Sequence, residues 1–177
     1  MLTKADIEQY FIAEKNAAML FLILGAAAVL IAVGFFIFLK SPVYKGAAWP
    51  LIILGALQMG VGYTIYARSD KQRIDIVYAY DMNPGKLKTE ELPRMEKAIK
   101  GITIFLALEF VLLAAGVLLI WANRLFFVNM QPGGSAFWVG IGVVFIIQSL
   151  LLSGADYVAY KRGKEYAVKL QQFISKS

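Results

Sequence analysis

The sequence predicts an all-α, polytopic membrane protein with four transmembrane helices, helical cytoplasmic extensions, and N and C termini in the cytoplasm. Four apolar stretches support this fold, and each has the ~20 residues that a helix needs to cross a hydrocarbon core ~30 Å thick. They lie at residues 17–39, 47–67, 101–122 and 136–160. Of the 18 Lys and Arg residues, only Lys40, Lys45 and Arg124 lie in the two loops that we place on the outer side. Positive charge in short loops stays in the cytoplasm, so segment 68–100 and both termini are predicted to be inside.

Composition excludes several kinds of chemistry. The 177-residue chain has no Cys and no His, which excludes thiolate nucleophiles, iron–sulfur ligation and the usual ligands of haem and zinc. Serine–lysine and paired-carboxylate chemistry stay open. We predict a single membrane domain, residues 1–177, that is not an enzyme and holds no metal or other cofactor. The net charge of +6 is explained by the excess of Lys and Arg in cytoplasmic segments and by their attraction to anionic lipids of the bilayer. Nucleic acid is not an expected partner, since no aromatic-rich basic platform accompanies the charge.

Residues 1–15 predict a short helix lying on the cytoplasmic surface of the membrane. Thr3 is a suitable N-cap, and Asp6 stands three residues later, where a capping-box partner is expected. Apolar side chains share one face of this helix, which is typical of an interfacial anchor. They are Ile7, Tyr10 and Phe11.

The first two spans are joined by a short outer loop, predicted at 40–46. Small residues form a stripe along the first span, Gly25, Ala28 and Ala32, and such stripes let another helix approach closely. Pro50 is expected in the first turn of the second span, where its missing N–H costs nothing.

The segment between spans two and three, 68–100, predicts a cytoplasmic helical hairpin. Helical spacing continues from the second span to about Asp81, and the turn-forming residues 83–85 then break the helix. Two readings of this hairpin stay open: it connects two spans, or it is a docking surface formed by Glu90, Glu91 and Arg94. A bare connector would need far fewer residues.

A second outer loop is predicted at 123–135, before the fourth span. A weak repeat relates the ends of spans two and four. Tyr63-x-x-Tyr66-x-Arg68 recurs as Tyr157-x-x-Tyr160-x-Arg162, and Trp49 and Trp138 open the two spans. Either the chain contains two duplicated halves, or these residues arose independently, because Tyr, Trp and Arg are favoured at membrane interfaces.

Polar residues within the spans predict an intramembrane cluster. A carboxylate such as Glu109 costs about 2.5 kcal/mol or more at the bilayer centre, so it should face the interior of the bundle. Five further residues are expected to join it or to lie beside it: Gln58, Gln148, Ser149, Ser153 and Asp156. Asp156 lies nearer the inner surface, where it either pairs with Lys97, Lys100 or Arg162 or forms an entry point toward Glu109. The cluster is either a proton or cation site or a polar clamp between helices.

Three functional hypotheses follow. The first is a non-catalytic membrane binding protein, either a subunit of a membrane complex or an immunity-type protector that binds a membrane-directed toxin. The alternative is a small proton- or cation-coupled transporter or channel that uses Glu109. An intramembrane enzyme is third, and the sequence gives little reason to prefer it. The partner would be another protein or a second copy of the chain, and the predicted location is a bacterial inner membrane.

Overall fold

The structure is a computed structural model that describes residues 2–123 and 134–175. Helix α1 spans Lys4–Phe38 and α2 spans Pro42–Met82. A single turn, α3 (Pro84–Lys86), leads through a π-helical turn (Leu87–Glu91) into α4, Leu92–Ala122. Helix α5 spans Gly134–Ile174. The predicted outer loop 123–135 lies, apart from its ends, outside the described residues.

The predicted all-α class and the four apolar helices are confirmed. The described part of the chain has no strand, and four of its helices are long and apolar enough to cross a membrane. These four helices indicate an integral membrane protein. The first connection is shorter than predicted, because α2 begins at Pro42 rather than near residue 47. Proline suits a first helical position, so Pro42 takes the place that we expected for Pro50, which lies inside α2.

The chain divides into two compact units, and all four long helices contribute to both. The first contains Met1–Met19, Gly62–Leu106 and Ala155–Ser177, and the second contains Leu20–Val61 and Ala107–Gly154. Nearly every charged residue of the sequence belongs to the first, which we call the charged unit. The exceptions are Lys40, Lys45, Glu109 and Arg124. We call the second the apolar unit.

The charged unit has its own hydrophobic core. Helices α1, α2, α4 and α5, the residue Leu2 before α1 and the π-helical turn contribute buried apolar side chains to it. They are Leu2, Ile7, Tyr10, Phe11, Ile76, Ala79, Leu87, Met95, Tyr166, Ala167 and Leu170. The N-terminal cap forms as predicted, because the Thr3 N–H donates to Asp6 Oδ2 (2.9 Å) and the Asp6 N–H donates to Thr3 Oγ1 (3.2 Å). The expected surface helix is, however, the first part of α1. Its apolar face is covered by protein: Ile7 and Phe11 are 0% and 1% exposed.

Close contacts between glycines join helices within the apolar unit. A Cβ atom on Gly25 would lie 2.6 Å from the carbonyl oxygen of Gly55, and one on Gly55 would lie 2.8 Å from that of Gly25. Gly116 and Gly142 form a matching pair, at 2.7 and 2.8 Å. The prediction that a small-residue stripe lets another helix approach α1 is therefore confirmed.

Helices α2 and α5 approach each other more closely still, and their contact is reciprocal. A Cβ atom on Gly46 would collide with the carbonyl oxygen of Phe137, and one on Gly140 would collide with that of Val43. Gly46 and Gly140 are separated along the chain by the same number of residues as Val43 and Phe137, and as the repeated Tyr and Arg residues. Trp49 and Trp138 do not share this spacing. The two contacts are thus reciprocal and have the spacing of the repeat, and both explanations of the repeat stay open.

Candidate functional site

Two members of the predicted intramembrane cluster are in direct contact. Gln58 Nε2 donates a hydrogen bond to Gln148 Oε1 at 2.9 Å, and the two residues are 6% and 8% exposed. This bond links α2 to α5 inside the apolar unit. Amide hydrogen bonds between membrane helices contribute about 0.6 kcal/mol on average, and they fix the register of the helices more than they add stability.

Glu109 and Ser149 are also buried in the apolar unit, at 6% and 2% exposure. The prediction that Glu109 faces the interior rather than lipid is confirmed. Asn123, at the end of α4, is a further buried polar residue that we did not predict. The apolar unit thus has a polar interior.

The remaining two members of the predicted cluster are not part of this interior. The Ser153 hydroxyl donates to the carbonyl oxygen of Leu150 in its own helix (3.3 Å). Asp156 is only partly buried and belongs to the charged unit.

A second polar cluster, which the sequence did not reveal, lies inside the charged unit. Arg94 forms a bidentate ion pair with Glu91, with Nε–Oε2 and Nη2–Oε1 distances of 2.7 and 2.8 Å. Arg94 Nη1 lies 4.0 Å from Glu14 Oε1 on α1. The ring of Tyr10 stacks on that of Tyr166, with centroids 4.4 Å apart. These contacts tie α1, α4 and α5 together.

Burial shifts the pKa values of this cluster. It raises the pKa of Glu14, which the positive charge of Arg94 opposes only in part. It also raises the pKa values of the Tyr10 and Tyr166 hydroxyls, with a further contribution from nearby carboxylates. Burial lowers the pKa of Arg94, but the hydrogen bonds and charge of Glu91, together with Tyr10 and Glu14, raise it by more. Arg94 therefore keeps its positive charge beside Glu91, and burial makes Glu14 harder to ionise than an exposed carboxyl group.

The position of Glu91 differs from our expectation of a docking surface at Glu90, Glu91 and Arg94. Glu90 is exposed, but Glu91 is only 1% exposed and Arg94 is partly buried beside it. The reason is the π-helical turn Leu87–Glu91, whose i→i+5 hydrogen bonding changes the helical phase that the sequence spacing assumes. Glu91 therefore points into the charged unit, and of the three residues only Glu90 is fully exposed.

An exposed apolar row lies instead on α2 of the charged unit. Ile74, Tyr78 and Met82 recur every four residues and are 64%, 65% and 67% exposed. A shallow groove between α2 and the start of α1 adjoins this row. It is lined by Glu8, Arg73, Ile74, Val77, Tyr78 and Asp81. The spacing of Ile74 and Tyr78 is visible in the sequence, but spacing alone does not tell which face of a helix is covered.

Neither cluster resembles a metal centre, because the described residues contain no group of three or more Asp, Glu, His or Cys side chains able to hold a metal ion. Comparison of the chain with known protein families, curated proteins and solved structures finds no match. Function is therefore inferred from the side chains described above.

Proposed function

We propose that this protein is a non-catalytic integral membrane binding protein, and that its charged unit docks a protein partner on the cytoplasmic side of a bacterial inner membrane. The observation that carries the proposal is the exposed apolar row Ile74, Tyr78 and Met82 beside the α1–α2 groove. The charged unit has a buried core of its own, so these three side chains are exposed on a folded surface rather than on a loose connector. Exposed apolar rows outside a membrane segment are typical of binding surfaces.

The charges around the groove indicate the chemistry of the partner. Asp81 is paired with Lys4, and Arg73 with Asp70. Glu8 and Asp75 are exposed and form no ion pair within the described residues. The groove therefore combines an apolar floor with one carboxylate that lacks a partner charge, Glu8, and Asp75 follows Ile74 on α2 as a second unpaired carboxylate. It fits an amphipathic helix whose apolar residues cover Ile74 and Tyr78 and whose flanks carry Lys or Arg.

Site-specific photocrosslinking in native membranes tests this docking site. A benzophenone amino acid at position 78 should form an adduct with one partner, and mass spectrometry of the adduct should locate it in an amphipathic helix with basic flanks. The matched control places the same probe at position 88, where Lys88 is exposed elsewhere on the charged unit. An adduct from both positions, or from neither, would contradict the proposal.

Charge reversal gives an independent test of the same groove. The double variant Glu8→Lys/Asp75→Lys should reduce recovery of the crosslinked partner several-fold. The control Glu90→Lys/Glu96→Lys makes the same change in net charge at exposed positions outside the groove and should leave recovery unchanged. The identity of the partner then separates a subunit of a membrane complex from an immunity-type protector, since only the protector would bind a membrane-directed toxin.

The proposed orientation rests on the distribution of positive charge. Apart from Lys40, Lys45 and Arg124, all Lys and Arg residues lie in segments that share one side of the membrane if each of the four helices crosses it once. That side is the cytoplasm by the positive-inside rule.

A second candidate function, a proton- or cation-coupled transporter or channel, is favoured by one observation. Glu109 is 6% exposed within the apolar unit, and buried carboxyl groups in membrane helices often mark ion pathways. This candidate predicts pH-dependent flux in liposomes that Glu109→Gln abolishes. Absence of flux with the wild-type protein would exclude it and leave Glu109 with a role in helix packing.

A further inference from the structure

One face of α5, just beyond its apolar stretch, combines exposed tyrosines with lysines. Eight residues line it: Tyr157, Tyr160, Lys161, Lys164, Glu165, Val168, Lys169 and Gln172. We propose that the part of this face nearest the apolar stretch, formed by Tyr157, Tyr160, Lys161 and Lys164, binds the headgroup of an anionic phospholipid.

The depth of these residues matches the headgroup layer. The apolar stretch of α5 ends at about residue 160, so Lys161 and Lys164 lie ~1.5–6 Å beyond it along the helix. The polar layer on each side of a bilayer is ~5–7 Å thick, which brings both ammonium groups level with lipid phosphates. Lys169 is ~13 Å beyond the stretch, and it is already paired with Asp6 on α1 at 2.6 Å.

The charges of Lys161 and Lys164 are available for an anion. Neither lysine forms an ion pair within the described part of the chain. The Nζ atom of Lys164 lies 5.8 Å from the centroid of the Tyr160 ring, so the lysine and the tyrosine are held side by side. Glu165 is the single acidic residue on this face, which leaves the face positive.

At the corresponding segment of α2, the lysine beside the tyrosine ring is paired with an acidic residue. There, Lys15 lies over the ring of Tyr66 at 4.8 Å, but Asp70 pairs with that lysine. Lys164 stands at the position of α5 that corresponds to Asp70, by the spacing that relates Tyr66 to Tyr160. One copy of the repeat is therefore neutralised internally, and the other presents an unpaired positive charge. This difference favours an anion site on α5 and not on α2.

A lipid fits this site better than a free anion. Tyr157 and Val158 are 62% and 59% exposed next to the lysines, and they offer an apolar surface to the upper part of an acyl chain. Tyrosine is enriched at this depth because its ring is apolar and its hydroxyl is polar.

The test is a lipid titration of the full-length protein in mild detergent, followed by native mass spectrometry. The probes are phosphatidylglycerol and phosphatidylcholine with identical acyl chains. The wild-type protein should retain phosphatidylglycerol preferentially. The variant Lys161→Gln/Lys164→Gln should bind it about 30-fold more weakly, since each lysine near an anionic surface contributes about fivefold.

The control variant Lys86→Gln/Lys88→Gln removes two lysines from the turn that joins α2 to α4, far along the chain from any apolar stretch, and should keep the wild-type preference. A third variant, Tyr160→Phe, should retain most of the binding, because the aromatic ring remains beside Lys164. Equal loss in the control, no preference in the wild type, or displacement of the lipid by millimolar inorganic phosphate would each overturn the proposal. Displacement by phosphate would assign the lysines to a free anion.

Discussion

The two units of this protein differ in which side chains they bury. In the charged unit, the fully buried side chains include large apolar ones: Phe11, Leu87, Met95 and Leu170. Among the described residues of the apolar unit, the buried apolar ones are small, Ala28, Ala32, Ala47, Ala48 and Val144, and they are accompanied by five buried polar residues. Many of its large apolar side chains point outward, as Leu30 (71% exposed) and Phe38 (79% exposed) illustrate.

This difference follows from the solvent that each unit requires. Water drives large apolar side chains into a core at about 25 cal/mol per Å² buried, and the charged unit has such a core. Lipid tails are as apolar as leucine, so they provide no comparable driving force between helices. The apolar unit is instead joined by close glycine contacts and by the Gln58–Gln148 hydrogen bond. The same four helices thus satisfy two different packing rules along their length.

The largest difference in stability is expected when a leucine is replaced by alanine in each of the two units. Leu170→Ala removes a fully buried side chain from the charged unit and should cost about 2–5 kcal/mol of stability. Leu30→Ala makes the same change at a side chain that faces outward in the apolar unit, and it should cost less than about 0.5 kcal/mol. Thermal unfolding followed by circular dichroism in detergent measures both. Equal losses from the two variants would mean that the units are not solvated differently.

A smaller effect is expected where the apolar unit depends on close packing. Gly140→Ala places a Cβ atom against the Val43 carbonyl oxygen, and overpacking of this kind typically costs about 1–3 kcal/mol. Gly34→Ala is the matched control, since a Cβ atom there meets no atom within 4 Å. Unfolding temperatures of the two variants provide the measurement. If Gly140→Ala is as stable as Gly34→Ala, the α2–α5 contact does not hold the apolar unit together.

The smallest effect concerns the buried polar cluster of the charged unit and depends on pH. Burial raises the pKa of Glu14 in the folded protein. The unfolded chain therefore ionises this group at a lower pH than the folded protein does, and stability falls as pH rises from about 4.5 through the raised folded value. Glu14→Gln cannot ionise, so the variant should gain stability relative to wild type as pH rises. Unfolding temperatures of both proteins between pH 4 and 8 test this, and parallel curves would contradict it.

Hydropathy and helical spacing were sufficient to predict the four long helices, the burial of Glu109 and the glycine contact of α1. The surroundings of the N-terminal helix were not predictable. Ile7 and Phe11 form an apolar face whether that face meets lipid or protein, so the sequence pattern is the same in both cases. The position of Glu91 was missed because the π-helical turn changes the helical phase, and spacing analysis assumes 3.6 residues per turn.

The close approach of α2 and α5 was missed for a different reason. Gly46 lies in a segment that the hydropathy pattern predicted to be a loop. Gly140 is one of three glycines in the fourth apolar stretch, so the sequence does not distinguish it from the other two. Only the reciprocal contacts with Phe137 and Val43 identify this pair. The internal repeat contained the necessary spacing, but interfacial Tyr and Arg residues alone did not separate duplication from coincidence.

Site-directed labelling tests the account most directly, because the chain contains no Cys and every introduced thiol is unique. Three single variants, Glu90→Cys, Leu30→Cys and Ser41→Cys, are treated with a membrane-impermeant maleimide in intact and in permeabilised cells. We expect labelling of Ser41→Cys in intact cells, labelling of Glu90→Cys only after permeabilisation, and no labelling of Leu30→Cys. Labelling of Glu90→Cys in intact cells would reverse the orientation. Labelling of Leu30→Cys in intact membranes would contradict the claim that the apolar unit is surrounded by lipid.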